Sequence, residues 1–213
     1  MTDPTTTPGT IVVGGTGRIA VEPDVADLRL GVSVARPTVD AARADAAAAM
    51  TAILAAIKGA GVAPRDIRTT LVSVQPRYDY RDGKAPVLTG YELANTVEVT
   101  IRDLATLGGV IDGSLGAGAT SMDGLSFRVE DPTDAERAAR IAAVAQARSR
   151  AETLAEAAGV SIAGVVDVVE GVASPPSSPL AKAARMMLAD TATPVEGGTT
   201  DISVSVTVTF RIA

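Results

Sequence analysis

The sequence predicts an α+β protein in which long helices pack on one side of antiparallel sheet. Three observations predict it. The run from Ile202 to Ile212 alternates Val204, Val206, Val208 and Phe210 with Ser203, Ser205, Thr207 and Thr209, the period of a strand with one buried face. Two stretches, about 38–58 and 133–158, carry the start and stop signals of long helices. The elements between them follow the order hairpin, helix, hairpin, then helix, strand, helix, hairpin, which hints at a duplicated β-α-β-β plan.

Residues 1–9 read as a disordered tail and residues 10–213 as one domain. Ile11, Val13, Ile19 and Val21 suggest a strand interrupted by Gly14, Gly15 and Gly17, after which Pro23-Asp24 turns the chain. Leu28, Leu30, Val32 and Val34 then alternate with polar residues, so this segment is a half-buried antiparallel strand and the two strands read as a hairpin. Thr38 is placed to cap a helix with Asp40 in its first turn, Met50, Ile53, Leu54 and Ile57 on its buried stripe, and Gly59 and Gly61 at its end. Two strands follow, about 66–80 and 88–102, joined by an Asp82-Gly83-Lys84 turn.

A short helix near 103–114 and a strand near 119–130 come next. Thr133 and Glu136 have capping-box spacing and open a helix to about Ala158, with Ile141, Val144 and Leu154 assigned to its apolar stripe. Glu136 with Arg140 and Arg148 with Glu152 form i, i+4 pairs, and Gly159 ends the helix. A Val-rich strand spans about 162–172. Residues 174–197, punctuated by Pro175, Pro176, Pro179 and Pro194, form an excursion before the last strand. Met186, Met187 and Leu188 within it are expected to pack on something, and a neighbouring subunit is the expected partner.

Composition removes many reactions. The 213 residues include no Cys and no His, which excludes disulfides, thiolate chemistry, Cys/His zinc sites and a Ser-His-Asp triad. The net charge of −6 argues against nucleic acid or an anionic membrane as the main partner. No run of about 18 apolar residues is present to span a membrane. The first residues, Met-Thr-Asp-Pro-Thr, show no basic or apolar leader, so the expectation is a cytoplasmic protein, or a periplasmic or secreted one if trimmed.

No motif survives as a catalytic or cofactor site. Gly15-Thr-Gly17-Arg-Ile-Ala20 matches a dinucleotide fingerprint as a string, but the helix whose amides would hold a pyrophosphate does not follow. The glycines from 108 to 118 lack the Gly-Lys-Ser/Thr ending of a phosphate loop. Asp123, Glu130 and Asp131 lack calcium-loop spacing and read as solvated turn carboxylates. Ser114, Ser121 and Ser126 have no base to activate them. No catalytic, cofactor or metal residue is therefore assigned. Tyr78, Tyr80 and Tyr91 hold three of the five aromatic side chains, and serve either core packing or an interface.

Several runs taken together resemble the SIMPL-domain family. They are Gly15-Thr-Gly17 with Val21-Glu-Pro23-Asp24-Val-Ala26, Asp66-Ile67-Arg-Thr69, Gln75-Pro76-Arg-Tyr78 and Gly90-Tyr91-Glu-Leu-Ala94-Asn95. Phe127-Arg-Val-Glu-Asp131, Ala142 to Arg148 leading to Ala151-Glu152, and Thr193-Pro194-Val195-Glu-Gly197 follow in the expected order. Members of this family include bacterial periplasmic immunogenic and oxidative-stress proteins and a mammalian kinase-associated signalling protein. The resemblance implies a protein with no agreed enzymatic activity, no catalytic residues to transfer, and a tendency to form large ring- or channel-like homo-oligomers. Three functions are weighed: a self-associating scaffold tied to stress defence, a module that takes an unknown protein or peptide partner on an exposed strand edge, and a carboxylate- or metal-dependent enzyme. The missing His and Cys place the enzyme last.

Overall fold

The computed structural model describes residues 9–80, 85–171 and 193–213. The Asp82-Gly83-Lys84 turn and Met186, Met187 and Leu188 lie outside the described residues. The elements in chain order are β1 (Thr10–Val21), β2 (Val25–Arg36), α1 (Val39–Gly59), β3 (Ile67–Asp79), β4 (Val87–Ile101), α2 (Leu107–Gly116), β5 (Ser121–Arg128), α3 (Thr133–Ala158), β6 (Ile162–Glu170) and β7 (Thr200–Ile212). Short 3₁₀ turns at Pro64–Asp66 and Leu104–Thr106 introduce β3 and α2. The fold is α+β, with antiparallel sheets and helices against them, and it divides into two compact units.

One unit holds β2, β3, β4 and β5 in the order β3-β4-β2-β5, with α1 and α2. The period-2 pattern places Leu28, Leu30 and Val32 of β2 and Val97, Val99 and Ile101 of β4 on one face, all buried in one cluster with Met50, Ile53 and Ile57 of α1 and Val110 of α2. Thr38 caps α1 as its sequence predicts, its hydroxyl accepting from the Ala41 amide at 3.3 Å. The excursion returns onto this unit. Thr193 donates from its amide and hydroxyl to the Asp112 carboxylate at 3.1 and 2.6 Å, and Val195 packs against the core.

The other unit holds β1, β6 and β7 in the order β1-β7-β6, with α3 against β1 and β7. Val204, Val206, Val208 and Phe210 of β7 are buried beneath α3. The buried stripe of α3 is Ala139, Ala143, Ala147, Ala151 and Ala155, spaced one helical step of four. Ile141, Val144 and Leu154, assigned to that stripe above, are instead 64, 40 and 50% exposed.

The reason lies on β1. This strand is continuous over twelve residues and pairs with β7 without a register shift, so the glycines do not interrupt it. A Cβ on Gly15 would stand 2.0 Å from the Ala143 carbonyl oxygen, and one on Gly17 would stand 1.9 Å from that of Ala139. The glycines let the helix backbone descend onto the strand, and only alanine fits in the remaining gap. Larger apolar residues of α3 are excluded from that face by their size.

Two further expectations are corrected. β1 and β2 do not form a hairpin, because β1 pairs with β7 and β2 with β4 and β5. The capping box of α3 is not made. Pro132 occupies the cap position, the Asp131 carboxylate accepts from the Thr133 amide at 3.1 Å, and Glu136 is drawn instead to Arg140 at 3.1 Å. Gly159 ends the helix in the left-handed region at φ 70°, as its position predicts.

The topologies of the two units match. In one, β2 pairs with β4, β3 is the edge strand, and α1 lies on β2 and β4. In the other, β1 pairs with β7, β6 is the edge strand, and α3 lies on β1 and β7. The β-α-β-β plan therefore occurs twice, with β1 rather than β5 as the first strand of the second set.

Candidate functional site

The candidate catalytic motifs do not assemble into a site. Gly15 and Gly17 sit mid-strand under α3, where their missing side chains are already filled by helix backbone. The Ser114 hydroxyl is buried and donates to the Val110 carbonyl at 2.6 Å. Asp131 is drawn below the usual carboxylate range by hydrogen bonds from the Thr133 side chain and amide. Among the described residues no three carboxylates come together as a metal site.

Tyr78 and Tyr80 are exposed, with ring centroids 6.3 Å apart and planes tilted by 58°. Tyr91 lies apart from them in an open depression of about 260 Å³ with Arg36, Arg77 and Thr89. The two arginines there are already engaged, Arg36 with Asp45 at 2.6 Å and Arg77 with Glu92 at 3.8 Å. Arg36 is thus held closely in the depression and Arg77 only loosely.

The face of the four-stranded sheet turned away from α1 carries a charge ladder. Glu98 on β4 receives Arg29 from β2 at 3.2 Å and Arg68 from β3 at 2.6 Å. Hydrogen bonds from Arg68 and then Arg29 hold its carboxyl below the ordinary glutamate range. Asp27 of β2 likewise accepts from Arg128 of β5 at 2.7 Å and from the Thr100 hydroxyl at 2.8 Å. These pairs fasten neighbouring strands.

What remains distinctive is the edge strands. The β1 edge is closed by α3: the Thr16 amide donates to Gln146 Oε1 at 2.8 Å, and Arg150 Nη1 donates to the Gly14 carbonyl at 2.7 Å. Among the described residues the β6 edge carries no such cover. Val165, Val166, Val168 and Val169 are each about half exposed, because α3 lies mainly over β1 and β7 and reaches β6 chiefly through Arg140, which pairs with Glu170 at 3.0 Å. β3 repeats the arrangement, with Leu71, Val72 and Val74 exposed beyond the reach of α1. Pro76 and two register shifts break up the ends of β3 and leave residues 71–75 as its regular stretch.

Sequence reasoning identified Tyr78 and Tyr80 on this strand but missed the valines of β6 as surface. A signal was present: Val165-Val166 and Val168-Val169 do not alternate, and a short strand apolar on both faces must be covered on both or join another chain. No helix of the described residues is long and apolar enough to cross a membrane.

Comparison with known proteins agrees with the motif order. The SIMPL family, described as of unknown function (DUF541), matches residues 11–210. The 26 kDa periplasmic immunogenic protein of Brucella melitensis is 37% identical over 98% of this chain and 86% of its own length. An uncharacterised protein of Escherichia coli, YggE, is 34% identical over 85% of this chain and 72% of its own, and that of Edwardsiella ictaluri 31% over 74% and 66%. The periplasmic name of the Brucella relative overturns the expectation of a cytoplasmic protein drawn from the first residues. The chain belongs to the SIMPL family.

Proposed function

We propose that this chain is a non-enzymatic, self-associating protein of the bacterial envelope, a homo-oligomeric scaffold linked to stress defence. The observation that carries the reading is the pair of strands, β3 and β6, whose apolar side chains are exposed beside an edge that is unpaired among the described residues. Such strands are a liability on a lone subunit and are stable when covered. The periplasmic name of the Brucella relative supports an envelope location, and the family resemblance supports assembly and the link to stress. The exposed tyrosines Tyr78 and Tyr80 at the end of β3 suit a subunit contact, with Tyr91, Met186, Met187 and Leu188 as further contacts.

Native mass in solution tests this reading. A compact monomer of this length has a radius of gyration of about 17 Å. The expected result is a particle several-fold heavier and larger at micromolar concentration. A monomer across that range would overturn the proposal.

A further inference from the structure

We propose that β3 of one copy pairs, edge to edge, with β6 of a second copy. This rests on the self-association proposed above and names the contact that makes it.

The two strands are equivalent in the repeated β-α-β-β plan, each lying beyond the helix that covers its two sister strands. Register places their side chains. Val72 and Val74 stand opposite Asn95 and Leu93 of β4, on the α1 side of the sheet. Val165 and Val168 stand opposite Phe210 and Val208 of β7, on the α3 side. Joined with helices on the same side, the two bare ledges form one continuous apolar strip, and each strand gains the hydrogen-bonding partner its edge lacks among the described residues.

Charge selects the unlike pairing. Arg68 and Arg77 of β3 and Asp167 of β6 all stand on the face away from the helices, opposite Glu98, Gly90 and Thr209 respectively. Asp167 has no hydrogen-bond or ion-pair partner among the described residues. Arg68 is paired yet its side chain stays 73% exposed, and Arg77 is held only loosely, at 3.8 Å. A β3–β3 contact between copies sets the two arginines against one another, and a β6–β6 contact gathers Asp167 from both chains; like charges in such positions are destabilising. A β3–β6 contact sets arginine beside aspartate. The occupant of each edge is thus a second copy of this chain, presenting the other edge. Because each copy keeps one edge of each kind, the contact is heterologous and addition continues until the assembly closes or stops.

Two variants on exposed positions test this in the full chain. Val165→Lys with Val168→Lys spoils β6; Val72→Lys with Val74→Lys spoils β3. Each alone is expected to stay folded by circular dichroism and to lose assembly, running at the monomer mass at micromolar concentration. Mixed, they are expected to form a one-to-one heterodimer, since each retains the edge the other needs. The charge arm uses Asp167→Arg and Arg77→Glu: each alone weakens association at least tenfold, and the double variant recovers most of it. A wild-type monomer would overturn this contact and the self-association reading together. A wild-type oligomer that survives either spoiled edge overturns the contact and leaves self-association standing. Folded, spoiled variants that do not combine when mixed overturn it as well, as does a charge pair without recovery.

Discussion

Replacing Gly17 by alanine adds one methyl group at the closest approach of helix and sheet. Its Cβ would lie 1.9 Å from the Ala139 carbonyl oxygen and 2.7 Å from the Ala143 amide nitrogen. Ordinary contact begins near ~3.4 Å, so α3 has to rise by more than ~1 Å along that stretch, and both obstacles are backbone that no rotamer change can move. Inserting a methylene into a well-packed core costs ~1–3 kcal/mol. Lifting the helix also loosens the buried alanines from Ala139 to Ala151, which pushes the cost to the upper end of that range or beyond it. Gly14 on the same strand is the control: a Cβ there meets only the Val206 carbonyl oxygen, at 3.8 Å. Gly14→Ala should be neutral, or more stable by up to ~1 kcal/mol through the reduced freedom of the unfolded chain. Urea unfolding with matched m-values measures both. Equal stability changes at the two positions, or a Gly17→Ala protein as stable as wild type, would refute the packing argument and return the glycines to the role of strand breakers.

Three further predictions follow from the polar contacts. Asp66, with its side chain 9% exposed, takes a two-pronged hydrogen bond from Arg102, so Asp66→Asn should lower stability by about 2 kcal/mol in urea unfolding. Glu98 titrates below its ordinary value of 4.5 when folded, so its contribution is complete above that value and disappears as pH falls through the lowered one. Glu98→Gln should therefore flatten the acid limb of stability against pH below about 4.5, and an unchanged acid limb would count against the Arg29–Glu98–Arg68 ladder. Asp112→Ala removes the acceptor of both Thr193 hydrogen bonds, and faster amide exchange at Thr193 and at residues 195–197 without global unfolding is the expected result.

Local physics made much of this protein legible from its sequence. Alternation in β2, β4 and β7, the Thr38 cap and the Gly159 stop depend on neighbours a few residues away, and each appears in the structure where its residues predict it. Motif order was likewise enough to place the family, because it needs no coordinates. The partners of strands were not legible. β1 joins β7, some 190 positions along the chain, and nothing within β1 distinguishes that pairing from a hairpin with β2. The buried face of α3 was misread for the same reason. Hydropathy favoured Ile141, Val144 and Leu154, but the depth of the groove is set by two glycines on a strand more than 120 residues earlier, and that depth admits alanine alone. The valines of β6 and β3 carry no mark of which partner covers them; only the seating of each helix chiefly over the other two strands decided that they face solvent. Sequence determines which faces are apolar. Tertiary structure decides which of those faces the chain can cover by itself, since coverage depends on where a helix comes to rest and not on what any strand is made of.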